Sequence, residues 1–462
     1  MLARYRPLAY LAGATTARTA DEMSAPALLL LGLAVAGSAR TASLLYAGLT
    51  ITAVAGGPLL GAMLDRAAHP GWLLAGALGG YAAGLAVITV SIGHVPVTLL
   101  IAAAAAAGMM APALTGGWTS RLADVVPPAS LSRGHALDAA TYNLASLAGP
   151  ALAGIIASAA SARWAMAAAI ALLALAAPAA ASLPARTRAG TRAPVSLRRD
   201  LRAGAAAITG APALRRITLA SAIAYLGIGL FVVACPLLGS RYLGGAAHGA
   251  LLLPVLAATS LLATAATARW PPRLRPDTVF VITTAIACCG LAALASATAA
   301  AWIIALVAVT GLADGPQLAA VFAVRQREAP PGLRGQIFTT AASLKISAGA
   351  LGAALAGVLA QHSVTLVLAA AAAAQAAALL AYLTAASGRP PAAASSRAAG
   401  PGQAGPGQAR TAQAGDAGTS DEPPRETGLP GLPTAASTGV RYASRSVTRP
   451  GTRSPGSAAT AS

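Results

Sequence analysis

Three charged residues lie close together in the first long apolar run of the sequence: Arg18, Asp21 and Glu22. On an α-helix, spacings of three and four residues place both carboxylates within reach of the guanidinium on one face. Ionisable groups inside a membrane are costly, so they face a bundle interior or a water-filled cavity and are candidates for function. Pro26 lacks the N–H that would bond to the carbonyl of residue 22, which predicts a kink at this site.

The carboxylates of this cluster could carry protons. Burial disfavours the charged form of a carboxylate, whereas a neighbouring arginine favours it. A balance of these effects would allow Asp21 or Glu22 to bind and release a proton at physiological pH, as proton coupling requires. The alternative is a permanently charged structural cluster near a membrane boundary, which is favoured if the first helix begins later than Leu8. Both interpretations stay open at this stage.

Further polar residues within apolar runs could line a central cavity. Lys345 is the only lysine in the chain, and its amine could bind an anionic substrate or pair with Asp314. Asp138, Tyr142 and Asn143 add hydrogen-bonding groups, although Asp138 could instead lie in the first turn of its helix, where the helix dipole favours an acid. The cysteines show no metal or redox spacing and the histidines are scattered singly, so we expect no metal, cofactor or catalytic centre.

The composition identifies the elements that must position these residues. Only 10% of the residues are charged and 56% are apolar, whereas soluble proteins carry about a quarter charged residues. Apolar runs of roughly 20 residues cross a bilayer as helices. We therefore predict an all-α integral membrane protein with twelve transmembrane helices: 8–36, 43–63, 71–91, 95–117, 136–158, 163–183, 214–238, 247–268, 276–296, 299–322, 337–360 and 364–386.

A basic linker at residues 184–213 divides the predicted helices into two six-helix halves, 1–183 and 214–386. The halves resemble each other: Pro127-Pro128 followed by Leu-x-Arg-Gly recurs as Pro330-Pro331 followed by Leu-Arg-Gly, an offset of 203 residues. Such internal repeats are common in transporters. Residues 387–462 are rich in Pro, Gly, Ser and Ala and poor in large apolar side chains, so we expect a disordered cytoplasmic tail.

The charge distribution indicates a membrane topology rather than a nucleic-acid partner. The formal net charge is +19, which taken alone fits a polyanion ligand. However, the predicted inner ends and joints hold 19 arginines, whereas the outer joints hold three. This bias follows the positive-inside rule and predicts a multi-pass protein of the plasma membrane with both termini in the cytoplasm. The expected partners are the lipid bilayer, protons and a small-molecule substrate, with no nucleic acid.

A motif between the second and third predicted helices carries a family resemblance. Gly61, Asp65 and Arg66 follow the pattern Gly-x-x-x-Asp-Arg, and this resembles the signature of the major facilitator superfamily at that family's inner joint. The resemblance covers essentially residues 1–386 and implies the twelve-helix fold of that family. It also implies that Asp65 and Arg66 act in a gate that holds the two halves in one of two alternating states. An ordinary polar turn is the alternative.

A second motif, in the fifth predicted helix, contains Gly149, Pro150 and Gly154. It resembles part of the signature of the drug and proton antiporters of the same superfamily. Small residues also permit close helix packing, and a plain packing motif is the alternative interpretation.

These observations together predict a transporter rather than an enzyme. We expect proton-coupled efflux of small hydrophobic compounds by alternating access. An importer or facilitator of the same fold is the nearest alternative, and an integral-membrane enzyme acting on lipid is a more distant one. The sequence does not identify the substrate or the oligomeric state.

Overall fold

The computed structural model describes residues 2–36, 39–185, 196–270 and 273–384, and every regular element within these ranges is a helix. A π-helical turn, Ala113–Gly117, follows α5, and a short 3-10 turn, Pro128–Ser130, precedes α7. The α-helices are α1 (Leu2–Ala36), α2 (Ala39–Ile51), α3 (Ala53–Arg66), α4 (Pro70–Ser91), α5 (Val97–Gly108), α6 (Leu122–Val125), α7 (Leu131–Ala159), α8 (Ala162–Ala181), α9 (Leu197–Gly210), α10 (Pro212–Tyr242), α11 (Ala246–Ala250), α12 (Leu252–Arg269), α13 (Pro276–Ser296), α14 (Ala300–Glu328), α15 (Arg334–Leu359) and α16 (Val364–Thr384).

Eleven of the described helical stretches are long and apolar enough to cross a membrane. Some combine adjacent elements, since α2 with α3, α5 with its π-helical turn, and α11 with α12 each form one stretch. The remaining long helix, α1, spans 35 residues but carries the charged cluster near its centre. With α1 as the twelfth span, six spans lie on each side of α9, in agreement with the predicted fold class. The predicted tail lies outside the described residues, and the predicted domain boundaries stay predictions.

Each half of the chain forms an apolar core of its own. In the first half α1 packs on α7 and α8, and in the second half α10 packs on α15 and α16. Trp118 and Tyr81 lie in the first core, whereas Phe231 and Leu291 lie in a separate core of the second half. The halves meet where α3 packs on α15 and where α7 packs on α12 and α14. The end of the bundle that holds the C-terminus of α3 and the N-terminus of α15 is called the Asp65 side below.

The two glycines of the α7 motif have different surroundings. A Cβ atom at Gly149 would lie 2.7 Å from Cβ of Glu22 and 2.9 Å from the backbone N of Met23 on α1. At Gly154 no heavy atom of the described residues lies within 4 Å of such a Cβ, and Pro150 is exposed. Only Gly149 is therefore required by the approach of α7 to α1, at the turn of α1 that carries the acidic residues.

Alanine substitutions at these glycines should have opposite effects. We expect Gly149→Ala to destabilise the protein by about 1–3 kcal/mol, because the added methyl group overpacks a backbone contact. Gly154→Ala should be neutral or stabilising, since alanine favours a helix over glycine by about 1 kcal/mol. The measurement is the temperature at which detergent-solubilised protein loses its monodisperse gel-filtration peak. Equal melting temperatures for the two variants would contradict the packing described for α1 and α7.

Candidate functional site

Arg18 is buried in the first half, where its guanidinium contacts α7 rather than its own helix. One terminal nitrogen donates to Oδ1 of Asp138 at 2.8 Å and contacts the Thr141 hydroxyl, and the other donates to Oγ1 of Thr119 at 2.9 Å. The guanidinium carbon lies 3.8 Å from the centre of the Tyr142 ring, a cation–π distance. Arg18 and Asp138 are only 1% and 0% exposed. This ion pair joins α1 to α7 in the interior of the first half.

The Asp138 carboxylate accepts hydrogen bonds at both oxygens. In addition to the bond from Arg18, Tyr10 donates to Oδ1 at 2.8 Å, and Thr119 donates to Oδ2 at 2.8 Å. Two expectations are corrected here. Asp138 is the eighth residue of α7, which begins at Leu131, and so does not lie in the first turn. Arg18 has its ion pair with Asp138 and not with the acids that follow it on α1.

Asp21 and Glu22 are consequently left without a cationic partner. Neither carboxylate lies within 4.0 Å of a basic group of the described residues. Asp21 accepts one hydrogen bond, from the Tyr81 hydroxyl at 3.1 Å. Asp21 is half-buried and Glu22 is exposed, although both lie near the middle of α1. Neither carboxylate is therefore neutralised by an ion pair within the described part of the chain.

Lys345 lies between aromatic rings of both halves. Its ammonium nitrogen is 4.0 Å from the centre of the Tyr225 ring on α10 and 5.2 Å from that of Tyr142 on α7. The charges of Asp314 and Glu22 also act on it. However, the predicted contact between Lys345 and Asp314 does not form within 4.0 Å in the described part of the chain. Asp314 instead accepts a hydrogen bond from Ser260 at 3.1 Å.

These groups lie near one another between the two halves. All of them lie near the centres of their helices, yet each is half-buried or exposed rather than fully buried. They come from five helices of both halves, and the contacts of Lys345 link them to one another. The members are Glu22 on α1, Tyr142 on α7, Tyr225 on α10, Asp314 on α14 and Lys345 on α15.

The sequence assigned Asn143 to a central cavity and did not single out Arg325. Asn143 is buried, and its amide lies 3.5 Å from the Thr264 hydroxyl, so it bridges α7 and α12. Arg325 is buried on α14, donates to the Ser221 hydroxyl at 2.7 Å, and has no carboxylate within 4.0 Å among the described residues. Its charge also acts on Lys345. The signal that could have identified it is an arginine placed three residues before the end of an apolar helix.

The predicted gate residues lie where the halves meet. Asp65 accepts hydrogen bonds from the backbone N–H groups of Gly335 and Gln336, both at 2.8 Å. These are donors of the first turn of α15, where a helix has unpaired N–H groups and a positive dipole end. A Cβ atom at Gly61 would lie 2.3 Å from Cα of Gln336, so only glycine permits this approach. Asp65 of the first half thus caps a helix of the second half.

The helix α9, which lies within the predicted linker, joins the same contact. Arg66 forms an ion pair with Asp200 on α9, and the Gln336 amide donates to the carbonyl oxygen of Leu201 at 3.2 Å. Further along α3, the Ser343 hydroxyl of α15 donates to the carbonyl oxygen of Ala53 at 2.6 Å. The contact therefore runs from the Asp65 side toward the membrane centre.

Comparison with known proteins identifies the family. Residues 10–353 match the sequence model of the Major Facilitator Superfamily. The chain belongs to this superfamily. No curated protein matches it in sequence. The predicted superfamily and its twelve-helix fold are thereby confirmed, and the chain is a multi-pass membrane transporter of the general kind found in the family.

Solved transporters of this fold are similar to the superfamily member described here. The crystal structure of the human organic anion transporter MFSD10 (TETRAN) covers 82% of this chain and 99% of its own, with 17% identity and a TM-score of 0.65. A bacterial homologue of the iron transporter ferroportin, in an outward-facing state, covers 83% and 99%, with 16% identity and a TM-score of 0.69. The proton:xylose symporter XylE covers 83% and 95%, with 13% identity and a TM-score of 0.64. At such identities the similarity establishes the fold alone.

The ion pair of Arg18 with Asp138 should be essential for stability, whereas the carboxylate of Asp21 should contribute little. Asp138→Ala leaves a buried guanidinium without its counter-charge, which we expect to cost about 3–5 kcal/mol. Asp21→Ala removes one hydrogen bond at a half-buried position and should cost about 1 kcal/mol. Yield and melting temperature of the detergent-solubilised variants test this difference. A melting temperature for Asp138→Ala as high as that of Asp21→Ala would show that the pair does not hold α1 to α7.

The cap by Asp65 predicts where the contact between halves opens. Asp65→Ala should accelerate amide exchange with deuterated water in the first turn of α15 by roughly 2- to 30-fold, the range expected for a lost helix cap of about 0.5–2 kcal/mol. Asp124→Ala is the matched control, because Asp124 pairs with Arg121 within the first half. Unchanged exchange at Gly335 and Gln336 in the Asp65 variant would contradict this account of the gate.

Proposed function

We propose that this superfamily member exchanges protons for small, largely apolar compounds across the plasma membrane by alternating access. The observation that carries the proposal is the pair of acids on α1. Asp21 is half-buried and Glu22 is exposed near the middle of α1, and their nearest arginine on the same helix is bonded to Asp138 instead. Intramembrane carboxylates without an ion-pair partner are suited to carry protons.

The contacts between halves support alternation between two states. They include the Asp65 side, where α3, α9 and α15 meet, and the packing of α7 on α12 and α14, while α1 and α10 make their main contacts within their own halves. This arrangement corresponds to a transporter closed on the Asp65 side, and the ferroportin homologue of the same fold is itself in an outward-facing state. The arginine bias supports a cytoplasmic location for the Asp65 side and for both termini.

The proposed direction of transport, efflux rather than import, is based on the α7 motif and its position. The partial antiporter signature is supported by Gly149, which lies directly against Glu22. An importer with the same proton carriers is the second candidate, because XylE, a proton:xylose symporter, shares the fold. The two mechanisms differ in one measurable sign: an antiporter moves protons against the direction of the compound, whereas a symporter moves both in the same direction.

The proposed function is tested by proton movement in vesicles that contain the purified protein. A panel of hydrophobic compounds is added, and a pH-sensitive dye inside the vesicles reports protons. We expect proton flux opposite to compound flux, and a reduction of at least about tenfold in Asp21→Asn or Glu22→Gln, since neither amide can carry a proton.

Glu328→Gln is the matched control for these substitutions. The substitution also removes a carboxylate, but Glu328 lies at the end of α14 in an ion pair with Arg327, away from the acids on α1. Its flux should equal that of the wild type. Proton flux in the same direction as the compound would favour the importer. Compound flux that is insensitive to the pH gradient and to both α1 substitutions would overturn proton coupling.

A further inference from the structure

The surroundings of Lys345 have the composition of a binding site for an organic cation. The ammonium lies over Tyr225 at 4.0 Å and near Tyr142 at 5.2 Å, both within the roughly 6 Å over which a ring face attracts a cation. Glu22 and Asp314 add two carboxylates whose charges act on the same point. The four groups come from four helices, two of each half. We call this set of side chains the cation cage.

The charges around the cage favour a cation. The positive charges of Arg18 and Arg325 repel the Lys345 ammonium. However, Arg18 is neutralised by Asp138, whose carboxylate oxygen lies 2.8 Å from the guanidinium. Two carboxylates, those of Glu22 and Asp314, then act on Lys345 together with one uncompensated arginine, Arg325. The surroundings of the lysine thus carry a net negative charge, and its removal would leave a cage with two aromatic faces and that negative excess.

Lys345 is not fixed in the cage by strong bonds. No carboxylate of the described residues lies within 4.0 Å of its nitrogen, and it makes no hydrogen bond in the described part of the chain. The side chain is half-buried, and its four-carbon stem has several rotatable bonds. An ammonium held by ring faces and distant charges can leave when a competing cation arrives.

We propose that the cation cage binds a protonated or quaternary amine of the transported compound, and that the Lys345 ammonium occupies the cage as a tethered competitor. The proposal rests on the proposed transport function, for which it names the substrate class. A tethered group has an effective concentration of millimolar order at its site. It therefore lowers the apparent affinity of the cage for every external cation. Only compounds that bind the empty cage tightly can displace the ammonium at low concentration.

The test compares three ligands of one shape and different charge: benzyltrimethylammonium, its uncharged carbon isostere neopentylbenzene, and the anion benzylsulfonate. Binding of the labelled ligands to detergent-purified protein is measured at constant pH, without a proton gradient. In Lys345→Met, which keeps the length of the side chain and removes its charge, we expect the cation to bind at least about tenfold tighter than in the wild type. Binding of the neutral isostere should not change.

Two further variants keep the result interpretable. Lys345→Arg retains a tethered cation and should bind benzyltrimethylammonium no more tightly than the wild type. In the Lys345→Met background, Asp314→Asn removes one charge of the cage and should weaken the binding of the cation. Melting temperatures of all variants establish that they are folded.

Several outcomes would overturn the proposal. Unchanged or weaker cation binding in Lys345→Met would do so, as would the absence of saturable cation binding to both proteins. Saturable binding of benzylsulfonate to the wild type that is lost in Lys345→Met would instead make Lys345 an anion site. Because the assay contains no proton gradient, tighter cation binding would stand even if the vesicles showed no proton coupling, and the cage would then belong to a facilitator.

Discussion

The buried contact between Arg18 and Asp138 determines how the other charges of the transporter are arranged. A guanidinium in the membrane interior must be matched by a counter-charge and by hydrogen-bond acceptors. Asp138 and the ring of Tyr142 supply these on α7, together with Thr119, which follows the π-helical turn. Since the charge of the arginine is matched there, the acids on the next turn of α1 form no ion pair with it. The fixed pair thus leaves two carboxylates for the proposed proton coupling.

Contacts within the halves differ in kind from those between them. The Arg18 pair lies inside one half, where its rupture would leave a buried charge. Between the halves, Asp65 accepts hydrogen bonds from backbone N–H groups of α15, and Arg66, whose side chain is 38% exposed, pairs with Asp200. These groups lie at the end of the bundle, where water can replace each lost hydrogen bond at small net cost. The buried ion pair therefore keeps the first half intact, while the exposed contacts on the Asp65 side can be exchanged for water when two rigid bodies separate there.

The sequence predicted the spans well because each is an apolar run bounded by polar joints. It failed where the partner lies far along the chain: local spacing favoured Asp21 and Glu22 for Arg18, but the partner is 120 residues away. A pair at helical spacing gains only about 0.2–0.5 kcal/mol, which a buried network exceeds. Asp138 was misplaced because α7 begins at Leu131, five residues before the predicted start at 136, in a polar stretch that hydropathy alone does not assign to a span. The family motif identified Asp65, but the backbone N–H groups of α15 that donate to it carry no sequence signal.

Tyr142 shows how the fixed and the exchangeable charges are connected. Its ring has the guanidinium of Arg18 at 3.8 Å and the ammonium of Lys345 at 5.2 Å. Arg18, the closer of these two cations, belongs to the same half as Tyr142. Lys345 belongs to the other half and lies closer to Tyr225 of its own half, at 4.0 Å. If the halves move as rigid bodies, Lys345 moves with Tyr225 and Asp314, whereas Glu22 moves with Tyr142. The separation between the ammonium and Glu22 then changes in every cycle, so opening of the gate alters the electrostatic field at the carboxylate proposed to carry protons.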